Sequence, residues 1–330
     1  MKPRVVIALF LTTLPASGRA DILYVMESNK IEKFSTAGAD LGTFANHSLS
    51  YPSAMAFDST GNLYAGNALS GPYIEKFSPN GTDLGHFASG SILNLPTGLA
   101  FDSVGNLYVA NENGPNVERF SSSGIDVGAF GSALSGPFSI AFDGAGNLYV
   151  ANGTRQTIDD FSIEKFSPTG ADLGLFVSSG LSLPAQILFD HAGNLYVQNT
   201  LIGIIGISAT KSWIEKFSPS GTDLGVFANT GSVFPSNLAF DGAGNLYASI
   251  GSTIEKYSPE GIDLGVFASG LNSAGALAFT DDSGVPLPLP PTPTPEPGTF
   301  CLLGLGAAFF ATRRARYGAG VLRSDSRQKP

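Results

Sequence analysis

One cysteine, Cys301, one tryptophan, Trp213, and three histidines are all that 330 residues supply of these types. A lone thiol excludes a disulfide framework and leaves the redox compartment open. Charged residues are only 14% of the chain while 43% are hydrophobic, which excludes a highly charged disordered chain and leaves enough apolar material for a sizeable core. Basic residues are scarce in the body: from Asp21 to Pro295, nine Lys or Arg stand against 25 Asp or Glu, a balance of −16. A body of that sign repels polyanions, so nucleic acid is not expected as a partner. Helical periodicity is also missing, as is an apolar run long enough to span a bilayer unaided.

What is plentiful is glycine, 41 residues, and phenylalanine, 24, and both recur in register. AFDSTGNLYAGN (56–67) returns as AFDSVGNLYVAN (100–111), AFDGAGNLYVAN (141–152), LFDHAGNLYVQN (188–199) and AFDGAGNLYASI (239–250). Each copy is followed by a second motif, as in IEKFSPNGTDLGHFAS (74–89) and IEKYSPEGIDLGVFAS (254–269). The period is about 40 to 50 residues, the spacing of propeller blades. Each unit reads as two hairpins with glycine-bearing turns, hence four short antiparallel strands, and such units stacked radially make a β-propeller. Alternation along NLYVAN predicts strands with one apolar and one more polar face.

The ends of the array predict how the ring closes. DILYVMES (21–28) matches a second strand that lacks a first, and GALAFTDDSG (275–284) supplies a first strand without the rest. With EKFS-type strands beginning near 31, 74, 117, 163, 214 and 254, the expectation is an all-β, six-bladed propeller over residues 21–284, closed by exchange of N- and C-terminal strands. FDxxGNLYVAN followed by IEKFSPxG resembles the NHL repeat family and the wider six-bladed group that includes SMP-30-like lactonases. The resemblance implies this fold; activity does not follow, because propellers host many unrelated functions.

The repeated Asp-x-x-Gly-Asn, as in Asp143 to Asn147, offers one carboxylate and one amide per turn. A calcium loop gathers six to eight oxygens, so turn formation is the expected role. Glu75-Lys76 and its equivalents are expected as solvated positions between blades. SMP-30-like lactonases hold a metal in the central channel, lined by first strands. Here those strands are PSAMAF (52–57), PTGLAF (96–101), PFSIAF (137–142), PAQILF (184–189), PSNLAF (235–240) and AGALAF (274–279). They carry no Asp, Glu or His before the Phe, and only Gln186 and Asn237 are amides, so neither metal nor other cofactor is expected. Virginiamycin-type lyases, another resemblance, use a catalytic His, but nothing in the sequence singles out His47, His86 or His191.

Connections between second and third strands vary in length, with 7, 10, 9, 14, 18 and 7 positions from the NLY tyrosine to the following Ile or Val. Variation confined to one face marks a binding face. Candidate ligand residues there are Asn67, Asn111, Asn152 and Asn199, which end second strands, with Arg155 and Trp213 on the two longest connections. The channel amides Gln186 and Asn237 complete the set. The amides are read as turn caps, or as a rim for sugar hydroxyls. The apolar connection from Leu201 to Ile207 is expected to pack over its own rim or to meet a partner.

Both termini differ from the body. Lys2 and Arg4, the apolar run Val5–Leu14 and small residues before Asp21 predict a signal peptide over 1–20. At the other end VPLPLPPTPTPEPG gives a proline-rich linker, 285–298. An apolar run follows at 300–312, then Arg313, Arg314 and Arg316 within a segment 299–316, and a basic tail over 317–330. Pro295-Glu296-Pro297, an apolar helix and an arginine cluster together resemble a PEP-CTERM sorting signal. The resemblance implies export by a Gram-negative-type bacterium, an exosortase-like processing enzyme as partner, and association with exopolysaccharide or surface proteins. About 13 apolar residues reach about 20 Å as a helix, short of the usual span unless flanking residues help, and the expected membrane association through 300–312 is transient or permanent. The expected protein is therefore an exported, non-enzymatic binding or scaffold module at the surface or in the matrix. A secreted hydrolase or lyase of lactonase type is the alternative.

Overall fold

The computed structural model describes residues 21–68, 71–131, 134–153, 161–201, 211–231 and 235–287. The first blade contains β1 (Ile22–Met26), β2 (Ile31–Ser35) and β3 (Asp40–Ala45). The second contains β4 (Pro52–Phe57), β5 (Leu63–Asn67), β6 (Tyr73–Phe77) and β7 (Asp83–Ser89). β8 (Pro96–Phe101), β9 (Leu107–Asn111), β10 (Val117–Phe120) and β11 (Asp126–Phe130) make the third. β12 (Pro137–Phe142), β13 (Leu148–Asn152), β14 (Ser162–Phe166) and β15 (Asp172–Val177) make the fourth. The fifth is β16 (Gln186–Phe189), β17 (Leu195–Leu201), β18 (Lys211–Phe217) and β19 (Asp223–Gly231). The sixth is β20 (Pro235–Phe240), β21 (Leu246–Ile250), β22 (Thr253–Tyr257) and β23 (Asp263–Ser269), and β24 (Leu277–Thr280) follows. Every sheet has four antiparallel strands, and β24 joins the first blade in the order β24-β1-β2-β3.

The first strands of the sheets are neighbours in a closed cycle: β24 beside β4, then β8, β12, β16, β20 and back to β24. This is an all-β, six-bladed propeller. At the seam, Ile22–Val25 pairs with Thr280–Leu277, and the Asn272 amide donates to buried Glu27 Oε2 at 2.6 Å. The Gly242 amide of the sixth blade donates to Asp21 Oδ2 at 2.7 Å.

Burial peaks at the second strand of each blade. Second strands such as Leu107–Asn111 are buried at every position, whereas outer strands such as Asp172–Val177 are mostly exposed. The alternation expected along NLYVAN is thus not an inside-outside alternation. Both faces of a blade are covered by neighbouring blades, so both sets of side chains are removed from water.

One aromatic arrangement recurs at every blade junction. Tyr149 meets Phe176 of its own blade at 4.8 Å and Phe189 of the next blade at 4.9 Å, both edge-on. Tyr24, Tyr64, Tyr108, Tyr196 and Tyr247 each repeat the pattern; Tyr247 reaches Phe279 and Tyr24 reaches Phe57, which carries it across the seam. Such pairs contribute about 0.5–1.5 kcal/mol each beyond their buried area. The Tyr of NLY and the Phe residues of AFD and LGxF therefore recur because they form one junction.

Candidate functional site

The repeated carboxylates are clasps for their own turns. Asp143 Oδ1 accepts the amides of Ala145 and Asn147, both at 2.9 Å, while Oδ2 accepts Asn147 Nδ2 at 2.8 Å and the Tyr149 hydroxyl at 3.2 Å. Asp190 and Asp241 are held the same way. Burial pushes the Asp58 carboxyl up, but hydrogen bonds from Asn62 and Thr60 outweigh it and hold the group below the ordinary value. Burial, with the nearby aspartate, raises the hydroxyls of Tyr64, Tyr149, Tyr196 and Tyr247 above the ordinary tyrosine range.

The Glu-Lys pairs differ from expectation. Glu32, Glu75, Glu118 and Glu215 are buried, and Lys76, Lys165, Lys216 and Lys256 of the same motif each lie over a tyrosine ring. Lys165 stands directly across the strands from Tyr149. Its Nζ sits 4.9 Å from the Tyr149 ring centre and 3.9 Å from Asp143 Oδ2. Lys216 and Lys256 repeat this geometry. The pair is not solvated because the third strand is an interior strand: its glutamate is covered by the outer strand, and its lysine stem covers the junction aromatics.

The amides at the ends of second strands are also buried. The Oδ1 atoms of Asn67, Asn111, Asn152 and Asn199 accept the amides of Ser50, Asn94, Ser135 and Ser182, each 17 residues earlier, at 2.7 to 3.0 Å. Nδ2 of Asn67, Asn111 and Asn199 donates to the carbonyls of Ala65, Ile92 and Gly180. These side chains fasten the connection between blades and turn no amide oxygen to solvent.

First-strand polar groups fasten neighbouring blades to one another. Gln186 Oε1 accepts the amide of Leu238, and Asn237 Oδ1 accepts that of Leu277 at 2.9 Å. Ser139 Oγ accepts the amide of Ile187 at 3.2 Å, and Ser53 Oγ donates to the Pro96 carbonyl at 2.5 Å. Both channel amides that the sequence offers as ligand groups are thus engaged across the junction. Among the described residues no three His, Cys, Asp or Glu side chains converge on a point where a metal ion could sit.

Trp213, on the variable face, is half-buried: its Nε1 donates to Glu215 Oε2 at 2.6 Å, and Lys211 Nζ lies 5.6 Å from its ring centre. Leu201 beside it is 50% exposed. Arg155, the whole 202–210 connection and the sorting residues Pro295, Glu296, Pro297, Arg313, Arg314 and Arg316 lie outside the described residues, as do the 1–20 and 300–312 segments.

A constellation that the sequence reading passed over sits at the edge of the second blade. His86 stands directly across from Glu75, with Nε2 3.3 Å from the Glu75 carboxylate, and its ring stacks on Tyr73 at 4.3 Å and 18°. Burial, with the Asp83 carboxylate beside it, pushes Glu75 up to about 8. These aromatics border an open cleft of about 400 Å³. The usable signal was aromatic Tyr73 at the position before IEKF, the same position as Trp213, together with a His in LGHF.

Residues 293–315 match the PEP-CTERM protein-sorting motif, the signal recognised by an exosortase for export to the surface or beyond in Gram-negative bacteria. No curated protein of similar sequence was found. Among solved structures, a chain of the nidogen/laminin complex is 18% identical with a TM-score of 0.65, over 78% of this chain and 98% of that one. A gluconolactonase from Xanthomonas campestris is 16% identical with a TM-score of 0.60, over 79% and 92%. A protein of unknown function from Bacteroides caccae is 13% identical with a TM-score of 0.59, over 79% and 99%. At these identities the likeness is one of fold: a six-bladed propeller carrying a C-terminal exosortase sorting motif.

Proposed function

We propose that the chain is an exported binding or scaffold module, delivered to the cell surface or extracellular matrix, whose propeller presents its variable face to a glycan or protein partner. The observation that carries this reading is the sorting motif at 293–315 joined to a propeller in which the first-strand Ser53, Ser139, Gln186 and Asn237 are spent on blade-to-blade bonds. In this reading residues 1–20 are a cleaved signal peptide and 300–312 a membrane anchor held until processing. The propeller is of NHL type, and β24 beside β1 is the strand exchange that closes it. Trp213 and Arg155 belong to the contact face. The gluconolactonase neighbour supplies a fold and, at 16% identity, no activity.

The test adds the purified protein back to cells that lack it and measures its retention by the extracellular matrix, alongside lactone hydrolysis with and without added divalent metals. Retention without hydrolysis is the expected result. Metal-dependent hydrolysis lost on mutation of the propeller would replace this reading with an enzymatic one.

A further inference from the structure

The repeats provide their own control for the second blade. Elsewhere each third-strand glutamate receives a hydrogen bond from a residue two positions away in sequence, the preceding one in four blades and the following one in the sixth. The donors are Lys30 to Glu32, Asn116 to Glu118, Ser162 to Glu164, Trp213 to Glu215 and Tyr257 to Glu255. In the second blade that place holds Tyr73, whose hydroxyl donates instead to the Ser48 carbonyl at 3.4 Å. Glu75 is 1% exposed, and its Oε2 receives no hydrogen bond. Glu118 Oε2 also lacks a donor, so the second blade departs from its repeats in the bond that the residue two positions away fails to give its glutamate.

The imidazole of His86, 56% exposed, places Nε2 3.3 Å from Glu75 Oε2, and the Asp83 carboxylate lies beside the same Glu75 carboxyl. The equivalent positions in the other blades hold Thr43, Ala129, Leu175, Val226 and Val266. Two ring-bearing side chains thus stack at one blade edge, one of them backed by a buried carboxyl. They border the open cleft with Pro72, Ser89 and Ser91. Its volume of about 400 Å³ lies in the range of small-molecule sites.

The lining selects the ligand. It combines ring faces and a proline with two serine hydroxyls and an imidazole, and it contains no Lys, Arg, Asp or Glu. A ligand with one apolar face, several hydroxyls and no net charge satisfies every part of it. The acidic body disfavours anionic alternatives. We propose that this cleft binds a neutral pyranose unit of a glycan. The sugar ring lies against the Tyr73–His86 stack, and its hydroxyls meet His86, Ser89 and Ser91. Glu75 acts as a positioning residue: turned toward Nε2, it sets the ring orientation and leaves Nδ1 for the ligand. At neutral pH a carboxyl pushed up to about 8 keeps its proton, so Glu75 brings no charge to the site. The assignment rests on the binding-module reading and deepens it.

The test titrates the full chain with methyl glucoside, methyl mannoside, methyl galactoside and N-acetylglucosamine, following the three histidine imidazoles by NMR. At least one sugar is expected to shift His86 saturably while His47 and His191 stay in place. Tyr73→Ala should weaken that binding about tenfold, the scale of one lost aromatic contact. His86→Ala, at an exposed edge position, serves if Tyr73→Ala fails to fold, with the shift then followed at Tyr73. Glu75→Ala should weaken sugar binding while Tyr73 stays folded in place, and Glu75→Gln, which keeps a hydrogen-bonding group toward Nε2, should restore it. The proposal is overturned if none of the four sugars gives a saturable shift, or if the shift survives both substitutions. Matrix retention that persists without sugar binding removes the cleft and keeps the module; sugar binding without matrix retention does the reverse.

Discussion

A methyl group added at Gly81 should destabilise the protein far more than the same group added four residues later at Gly85. Both glycines have left-handed backbones, φ +83 and +86, which L side chains resist by about 1–2 kcal/mol. Both substitutions also stiffen the unfolded chain, which returns about 0.4–1 kcal/mol. At Gly85 nothing lies within 4 Å of an added Cβ, so about 1 kcal/mol of destabilisation remains. At Gly81 the Cβ would overlap the carbonyl oxygen of Phe44 and stand 3.1 Å from its carbonyl carbon, on the neighbouring blade. Backbone on a packed blade has little room to give, and overpacking adds about 1–3 kcal/mol, for a total of about 2–4 kcal/mol. The assay is thermal unfolding of each variant followed by far-UV circular dichroism. At about 2–4 °C per kcal/mol, Gly85→Ala should lower Tm by a few degrees and Gly81→Ala by roughly twice that or more. Equal shifts would refute the close approach of the Gly81 turn to the Phe44 backbone of the neighbouring blade.

Two further outcomes follow from buried polar groups. Asn111→Ala removes the partners of both the Asn94 amide and the Ile92 carbonyl from a site 2% exposed, so it should cost about 2–4 kcal/mol; equilibrium urea unfolding measures it. Glu75, raised in the folded state to about 8, holds its proton while the unfolded chain releases one near 4.5. The folded form therefore binds more protons across that window, and this group's contribution to stability falls as pH rises from about 4.5 to 8. Glu75→Gln should flatten that fall, leaving the variant more stable relative to the parent at pH 9 than at pH 5; an unchanged profile contradicts the assignment.

Much of the architecture was legible because blades repeat. FD, NLY, IEKF and LGxF recur in fixed order, and hairpin formation is a local property that turn residues disclose. The donor sets were not legible. Asn111 reads as a turn cap because its partner amide, Asn94, lies 17 positions earlier, where no local pattern points to it. Glu75 and Lys76 read as solvated because adjacent residues on a strand face opposite ways. In a sheet buried on both sides, neither direction leads to water. The channel amides misled for a related reason: Gln186 and Asn237 are polar residues on a first strand, but the amides they bind belong to the next blade. His86 was overlooked because its significance rests on what the other five blades put in its place.

The account stands most directly on where the protein goes and how it ends. The measurement is mass spectrometry of the C-terminus of the protein recovered from cell-surface and matrix fractions, in cells with and without an active exosortase. The account predicts a surface or matrix species that lacks the apolar and arginine-rich segment when the exosortase is active, and a longer, membrane-retained species when it is not. The same full-length protein in the same fraction under both conditions would contradict it.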